Sequence, residues 1–295
     1  MKVGGTCHAC RKPILGQAIT AMGHDWHPEH FICRGCSRSI WDERFYVIED
    51  RPYHSHCYAQ SVAKRCAYCH TPLLGGYLVD HFGAAFCPIH AQQYPTCTFC
   101  PRLVPTTDCS TAVCSVCRRT VVSSREDAKR PVETVRAWLA NRGIALRKET
   151  VSLELCDQSK LTSLSNAWVG SKCLGVTRTT LWNPFGNPSS VGILSGLPVT
   201  LFKGVVAHEF GHAWLHQNGI LGISSKEAEG LCELLSFCFY KEAVAEKEGS
   251  HHADAIERNP DAVYGDGFRL AHRQYLRLGL SSLFQFVEAH KRLPL

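Results

Sequence analysis

Two segments in the second half of the chain carry apolar residues at the spacing of amphipathic helices. The first extends from Pro198 to Gly219, and apolar residues such as Leu201 and Val205 recur there at intervals of three or four positions. Thr200 is a suitable N-terminal cap, and the Asn-Gly pair that ends the segment is a common helix stop. We therefore predict one helix over this segment.

A second helix is predicted to start just after it. Ser224 is followed three residues later by Glu227, which is the pattern of a capping box. The apolar positions that follow are Leu231, Leu234, Leu235 and Phe239. If Glu227 reaches back to the Ser224 amide it has a structural role, and Glu229 and Glu233 then share a different face of the helix.

The residue pattern upstream of these two helices predicts one helix followed by three strands. Pro131 is a suitable first-turn residue for a helix that ends at residues 141–143, where Asn-Arg-Gly stands. The strand-like runs, rich in β-branched and apolar residues, are 151–155, 173–182 and 191–194. The predicted order is helix, three strands and two further helices.

The first of these two helices contains the sequence His-Glu-Phe-Gly-His. Residues four apart lie above one another on a helix, so His208 and His212 can direct both imidazoles to one point, while Glu209 reaches a water held there. This is the pattern of a zinc peptidase site. On the second helix, Glu229 is predicted as the third zinc ligand and Glu233 as the acceptor of a hydrogen bond from a ligating imidazole. The alternative is that both glutamates are ordinary solvated carboxylates.

Cysteine usage adds four further metal sites. The chain has 17 cysteines, most of them in C-x-x-C pairs interleaved with histidines in the first 120 residues. Zinc-ligand spacing gives four sets: Cys7, Cys10, His27 and His30; Cys33, Cys36, His54 and Cys57; Cys66, Cys69, Cys87 and His90; Cys97, Cys100, Cys114 and Cys117. His56 competes with His54, and Cys109 is left over and could replace one ligand of the fourth set.

These sets form two modules, predicted at residues 1–62 and 63–120. The first resembles a LIM domain, with His30 where that family usually has cysteine. The first half-site of the second module repeats that of the first module, but six residues instead of two join its two half-sites, so the second module is LIM-like. Residues 121–130 are polar and charged and are predicted to be a linker, which leaves 131–295 as a third domain. The fold class expected is a multidomain α+β protein.

Charge and hydropathy exclude several classes of function. Four zincs with twelve thiolates contribute −4 and a catalytic zinc +2, which reduces the formal charge of +6 to about +4. That balance is too mild to indicate nucleic acid. No apolar run reaches the length of a membrane span and no signal peptide is evident, so we expect no membrane partner and a reducing, cytoplasmic location.

The order of elements resembles the gluzincin metallopeptidases, in which an antiparallel sheet lies above the zinc helix and its edge strand pairs with substrate. The candidate edge is the segment 191–197, with Val191, Ile193 and Ser195, and the alternative is a covered core strand. Together with the LIM modules, four blocks resemble the plant organ-size-regulating LIM peptidases: residues 193–198, 207–214, 229–232 and 264–269.

That resemblance implies a zinc endopeptidase that cuts selected regulatory proteins, with the LIM modules choosing substrates or partners. Glu209 would be the general base, taking a proton from water and delivering it to the leaving amine. Tyr264 is the first candidate for oxyanion stabilisation, and His272 and Tyr275 are the next candidates. Cys232 is one turn from Glu229 and is interpreted as a buried thiol.

The resemblance also implies a ubiquitin or ubiquitin-like regulator. The plant members carry ubiquitin-interacting helices ahead of the LIM domain, whereas Cys7 comes almost at once in this sequence. Two other function classes remain: a zinc-rich interaction scaffold with an inactive peptidase fold, and a nucleic-acid binder that uses its zinc knuckles. The number of bound zinc ions distinguishes the inactive scaffold from an enzyme. Binding to nucleic acid with a steep salt dependence would indicate the nucleic-acid binder.

Overall fold

The fold was analysed in a computed structural model. It describes residues 5–41, 44–106, 112–147, 151–165, 173–179 and 189–294. The chain divides into two compact units, Met1–Tyr94 and Pro95–Leu295.

The secondary structure is mostly short strands in the first unit and long helices in the second. The strands are β1 (Ile19–Ala21), β2 (His24–Trp26), β3 (Phe45–Ile48), β4 (Arg51–His54), β5 (Leu78–Val79), β6 (Ala85–Phe86), β7 (Val121–Val122), β8 (Val151–Cys156), β9 (Gly175–Thr179), β10 (Ser189–Leu194) and β11 (Leu197–Pro198). The helices are α1 (Ser55–Ser61), α2 (Pro88–Gln93), α3 (Ser115–Arg119), α4 (Arg125–Ala140), α5 (Gln158–Ser165), α6 (Val199–Gln217), α7 (Ser225–Ala243), α8 (Glu246–Glu257), α9 (Tyr264–Leu278) and α10 (Leu280–His290). A single turn of 3₁₀ helix spans Pro28–His30.

The first unit is built from two-stranded antiparallel hairpins. β1 pairs with β2, β3 with β4 and β5 with β6. Its apolar core is small: Phe31 and Ile40 are buried together with Cys33 and Cys57. So little buried apolar surface indicates that bound metal is needed for folding.

The second unit is organised around α6. This helix buries residues on nearly every side, including Phe202, Phe210 and Trp214, because α4, α7 and the sheet all pack against it. α9 packs on the outside of α7. A methyl group on Gly230 of α7 would lie 2.2 Å from the carbonyl oxygen of Gly267 of α9, so the two backbones touch.

The main sheet has β10 in its centre, with the order β8-β10-β9. β10 runs parallel to β8 and antiparallel to β9, so the sheet is mixed and not antiparallel as predicted. The prediction that residues 191–197 form the substrate edge is therefore wrong, because β10 is paired on both sides. Val191 and Ile193 are fully buried in the core, and the Ser195 amide donates to the carbonyl of Cys156.

The segment predicted as a linker is ordered structure. Residues 121–122 form β7, and α4 begins at Arg125, six residues before the predicted start at Pro131. The reason is a capping box, in which Ser124 accepts from the Asp127 amide and the Asp127 carboxylate accepts from the Ser124 amide.

The fourth cysteine cluster belongs to the second unit and not to a separate LIM-like module. The cluster loop carries Phe99, which packs against the apolar core of this unit. Directly after the cluster, β7 pairs antiparallel with β11, which leads into α6. The backbone amide of Val199 also donates to the carbonyl of Thr120 at 2.8 Å. The boundary therefore lies near residue 94 and not near residue 120.

The two helices that carry His208, His212 and Glu229 match their predicted ends closely. α6 ends at Gln217 with Asn218 as its C-cap, and Gly219 has the positive φ of a helix stop. Thr200, in contrast, lies inside the first turn and makes no cap, since Pro198 occupies that position. The capping box of Ser224 and Glu227 at the start of α7 is confirmed. In the described parts of the chain, every helix is too short or too polar to cross a bilayer.

Candidate zinc centre and active-site cleft

Three side chains from α6 and α7 converge on one point. The Nε2 atoms of His208 and His212, one helical turn apart, are separated by 3.2 Å. Oε2 of Glu229 lies 3.1 Å from Nε2 of His208 and 3.3 Å from Nε2 of His212. The two histidines and the glutamate of the sequence prediction are thus brought together by the packing of α6 on α7.

This triangle fits a zinc ion. Tetrahedral zinc with bonds of about 2.0 Å to nitrogen and oxygen holds its ligand atoms roughly 3.3 Å apart, which is the spacing of these three atoms. Two imidazoles and one carboxylate leave the fourth position open, as catalytic zinc sites require. Burial opposes ionisation of Glu229, but its hydrogen bonds to the two histidines lower its pKa to about 2, so it is an anion ready to bind a cation.

Two further α7 residues face the imidazoles from behind. Oε1 of Glu233 lies 3.6 Å from Nδ1 of His208, an ionic contact longer than a hydrogen bond. Burial raises the pKa of Glu233, and the neighbouring His208 opposes that rise. Cys232 is fully buried, and its sulfur lies within 4.8 Å of ring nitrogens of both His208 and His212, so it is a further potential metal ligand. Burial raises the pKa of this thiol to about 11.

Glu209 is held under strand β9. Its side chain is buried, and Oε2 accepts a hydrogen bond of 2.7 Å from Oγ1 of Thr177. The neighbouring strand residue on the same face is Gly175, where an added methyl group would lie 2.6 Å from Oε1 of Glu209. The strand can approach the carboxylate this closely only because position 175 has no side chain.

The zinc triangle opens into a cleft of about 650 Å³. Its walls are β9, α6, α7 and α8, and Tyr264 stands at one side with its ring centroid 6.4 Å from that of His208. Burial, followed by the negative charge of Glu229, raises the pKa of Tyr264 to about 12. Its hydroxyl is therefore protonated at neutral pH and can donate a hydrogen bond.

The other predicted oxyanion candidates lie elsewhere. His272 is outside the lining of the cleft, and its ring stacks on Phe268 with centroids 5.0 Å apart. Tyr275 stacks on His272 in turn. Both residues follow Tyr264 on α9, and the helix carries them away from the zinc triangle. His216 lines the cleft one turn beyond His212, where burial lowers its pKa.

The four structural clusters have the predicted ligand sets. They are Cys7, Cys10, His27 and His30; Cys33, Cys36, His54 and Cys57; Cys66, Cys69, Cys87 and His90; Cys97, Cys100, Cys114 and Cys117. Separations between sulfur and Nδ1 are 3.3–3.4 Å. Tetrahedral zinc needs roughly 3.5 Å between these atom types. Cys109 lies outside the described residues.

Backbone amides prepare the Cys33 thiol for metal. Burial alone would raise the pKa of Cys33, but the N–H groups of His54 and Gly35, each 3.3 Å from its sulfur, lower that pKa to about 6. The thiolate is the form that binds zinc. In the second cluster, Nδ1 of His54 lies 3.3 Å from the sulfur of Cys36, and His54 belongs to the set of four ligand atoms that lie within 4.8 Å of one another. His56 approaches the sulfur of Cys57 and stacks on His54, but it is not in that set, so His54 is the fitting ligand.

Thr177 and Gly175 were missed by sequence reasoning. Both fall in the predicted strand 173–182, whose last residues lie outside the described part of the chain. The alternation of that strand placed residues 175, 177 and 179 on one face, but it did not indicate that this face would meet Glu209. Contact between them depends on the sheet packing over α6, which is not encoded locally.

Two protein families match separate parts of the chain. Residues 7–62 match the LIM domain family, and residues 110–255 match the family described as Protein DA1. Protein DA1-related 1 of Arabidopsis thaliana is 23% identical over 93% of this chain, and the alignment covers 63% of the relative. Protein DA1-related 2 of the same plant is 22% identical over 98% of this chain and 70% of the relative. The chain thus spans roughly two thirds of the length of these relatives.

Proposed function

Because this chain is a LIM protein with a DA1-like domain, we propose that it is a zinc-dependent endopeptidase acting on selected protein substrates. The observation that carries the proposal is the triangle of His208, His212 and Glu229 beside the buried carboxylate of Glu209. A scaffold with an inactive fold would have no need of an open metal position next to a base.

Each chain residue has a distinct role in the proposed reaction. When bound, zinc supplies a Lewis acid that acidifies water and polarises a peptide carbonyl. Glu209 takes the proton from the attacking water and passes it to the departing amine. Tyr264, protonated at neutral pH, donates a hydrogen bond to the developing oxyanion from the opposite side of the cleft.

Strand β9 is the proposed substrate strand. Within the described part of the sheet it is an edge strand beside the cleft, and it faces β10 on its other side. The Leu174 carbonyl accepts from the Leu194 amide of β10. Alternation in an antiparallel ladder therefore directs the N–H and C=O groups of Gly175 and Thr177 away from β10. An extended peptide could pair with those groups and lie across the zinc triangle.

The LIM modules are proposed to select the protein that is cut. Their clusters have four ligands each and leave no open metal position, so they are structural. Selection of this kind would explain how a catalytic unit that recognises mainly peptide backbone avoids acting on every exposed loop. Regulation by ubiquitin or a ubiquitin-like protein stays a prediction from the resemblance.

Zinc stoichiometry and cleavage test the proposal together. We expect about five zinc ions per chain, from the four structural clusters and the catalytic triangle. Brief chelation should remove one ion, because the open site is the most accessible, and activity on an unfolded protein should disappear with it. Element analysis by mass spectrometry and gel-based cleavage assays measure the two quantities, and added zinc should restore both.

Other outcomes have clear meanings. Four tightly held ions with no labile fifth and no cleavage would contradict the proposal and support the inactive scaffold. Binding to single-stranded or duplex nucleic acid with a steep salt dependence would instead support a nucleic-acid role for the zinc knuckles.

Replacing Tyr264 by Phe should lower kcat about tenfold and leave KM nearly unchanged. The expected loss is smaller than the 10²–10³-fold typical of a buried oxyanion donor, because the Tyr264 side chain is 41% exposed. Steady-state kinetics on a peptide substrate measure this effect. Tyr275→Phe is the matched control on the same helix, and equal losses in the two variants would contradict the assignment of Tyr264.

A further inference from the structure

We propose that Thr177 is the positioning residue of the general base and that it couples base geometry to substrate binding. This inference rests on the proposed peptidase function and adds a residue to its site. It starts from one contact, the 2.7 Å hydrogen bond from Oγ1 of Thr177 to Oε2 of Glu209.

The contact fixes one oxygen of a carboxylate that has little other freedom. Glu209 is only 5% exposed, and Gly175 lies directly over its other oxygen, Oε1. An added methyl group at Gly175 would lie 2.6 Å from Oε1, so the strand leaves little room on that side, and the hydrogen bond from Thr177 orients Oε2. A base held in this way directs its remaining lone pairs into the cleft toward the zinc triangle, where the attacking water must sit.

The same hydroxyl has a second acceptor within reach. Oγ1 of Thr177 also lies 3.0 Å from the carbonyl oxygen of Glu209. A hydroxyl has one proton, and the shorter separation, to the carboxylate, marks the better acceptor. Threonine suits the position because its β-branched side chain has few rotamers and is favoured in strands.

The backbone of Thr177 faces the proposed substrate. Its side chain points to α6. Its N–H and C=O groups are directed away from β10, because Thr177 and Val191 form a non-hydrogen-bonded pair of the antiparallel ladder. A peptide that pairs with β9 would therefore restrain the residue that orients Glu209. Substrate binding and base alignment would be linked through one residue, with no moving lid.

Kinetics of two substitutions test the role of the hydroxyl. Thr177→Val keeps the shape but removes the donor, and we expect kcat to fall about 10- to 100-fold, the scale that small misplacements of catalytic groups produce. KM should change less than about twofold, since the backbone that pairs with substrate is retained. Thr177→Ser restores the donor and should recover kcat to within about threefold of wild type.

A control separates this effect from the loss of any threonine hydroxyl. Thr134 on α4 also donates a hydrogen bond, to the Arg130 carbonyl at 2.9 Å, but it is far from the cleft lining. Thr134→Val should leave kcat unchanged. If Thr177→Val raises KM instead of lowering kcat, or if Thr177→Ser fails to rescue, Thr177 is merely part of the strand and the proposal is overturned.

A binding measurement keeps the inference testable without turnover. A peptide hydroxamate bound to the zinc-loaded protein offers a proton to the base carboxylate, so its affinity reports the alignment of Glu209. Calorimetry on wild type, Thr177→Val, Glu209→Ala and the double variant forms a double-mutant cycle. We expect Thr177→Val to weaken binding at least about fivefold in wild type and to have no effect once Glu209 is removed.

The two proposals can fail separately. Equal effects of Thr177→Val with and without Glu209 would overturn the positioning role, whatever the protein cleaves. Coupling in the cycle together with no cleavage of any protein would retain the positioning role and reject the proposed function.

Discussion

Glu209→Gln should lower kcat/KM for peptide hydrolysis by about 10²–10⁴-fold, the range that general acid–base catalysis contributes. Gln keeps the size of the side chain and can still accept the hydrogen bond from Thr177, so the local packing should persist. It cannot take a proton from water. Zinc content should stay at the wild-type value, because the proposed metal ligands are His208, His212 and Glu229.

The control for this prediction is the same chemical change at Glu227. Its carboxylate caps α7 by accepting from the Ser224 amide, and the amide oxygen of Gln can serve in that bond. Glu227→Gln should therefore alter stability by at most about 1 kcal/mol and leave turnover intact. If Glu209→Gln retains wild-type activity with full zinc, the proton transfer must be assigned to another group.

The spacing of the two histidines and the helical phase of Glu229 were predictable because both are local. The His208–His212 pair depends only on helical spacing, and the capping box at Ser224 fixed the phase of α7, which separated Glu227 from Glu229. The structural clusters were equally accessible, since C-x-x-C pairs define zinc knuckles over short stretches of chain. The convergence of Glu229 with the two histidines, in contrast, requires α6 to pack on α7.

The substrate edge was predicted wrongly because non-local packing determines which strand lies at the edge of the sheet. Residues 191–194 have a strand pattern, but nothing in that pattern indicates whether neighbours pair on one side or on both. The parallel partner β8 and the antiparallel partner β9 come from separate parts of the chain. Within the described part of the sheet, the edge strand beside the cleft is therefore β9, which carries Thr177, and not the predicted segment.

The domain boundary was misplaced for a similar reason. A polar composition favoured a linker at residues 121–130, but Ser124 and Asp127 use polar side chains to start a helix. The fourth cluster has the ligand spacing of a LIM-like half-site, yet its loop packs through Phe99 on the core of the second unit. Ligand spacing defines a metal site and does not define the unit to which that site belongs.

Because the fourth cluster belongs to the second unit, loss of its zinc should destabilise that unit. Cys100→Ser and Cys117→Ser each remove a buried ligand. Zinc binding in small sites is worth about 10–16 kcal/mol, so a weakened site costs several kcal/mol. A loss of about 4 kcal/mol corresponds to roughly 8–16 °C in Tm for a unit of this size.

Loss of the fourth zinc should also weaken the proposed catalytic zinc site, because a short path of backbone contacts joins the two. The cluster is followed at once by β7, whose Val122 pairs with Leu197 of β11, and the Val199 amide that opens α6 donates to Thr120. Loosening the cluster frees the first turn of the helix that carries His208 and His212. We therefore expect catalytic zinc to be lost at lower chelator concentration in Cys100→Ser than in wild type.

The discriminating comparison is with a ligand of the first unit. Cys33→Ser removes a thiol that is also buried from the second cluster, which lies in the unit that ends at Tyr94. Calorimetry on the full chain should show that this variant shifts the unfolding of the first unit and leaves unchanged both the Tm of the second unit and the affinity of the zinc proposed at His208, His212 and Glu229. If Cys33→Ser and Cys100→Ser weaken the catalytic zinc equally, coupling is not specific to the fourth cluster. A selective effect of Cys100→Ser would mean that a cluster with LIM-like spacing serves here as the foundation of the active-site helix.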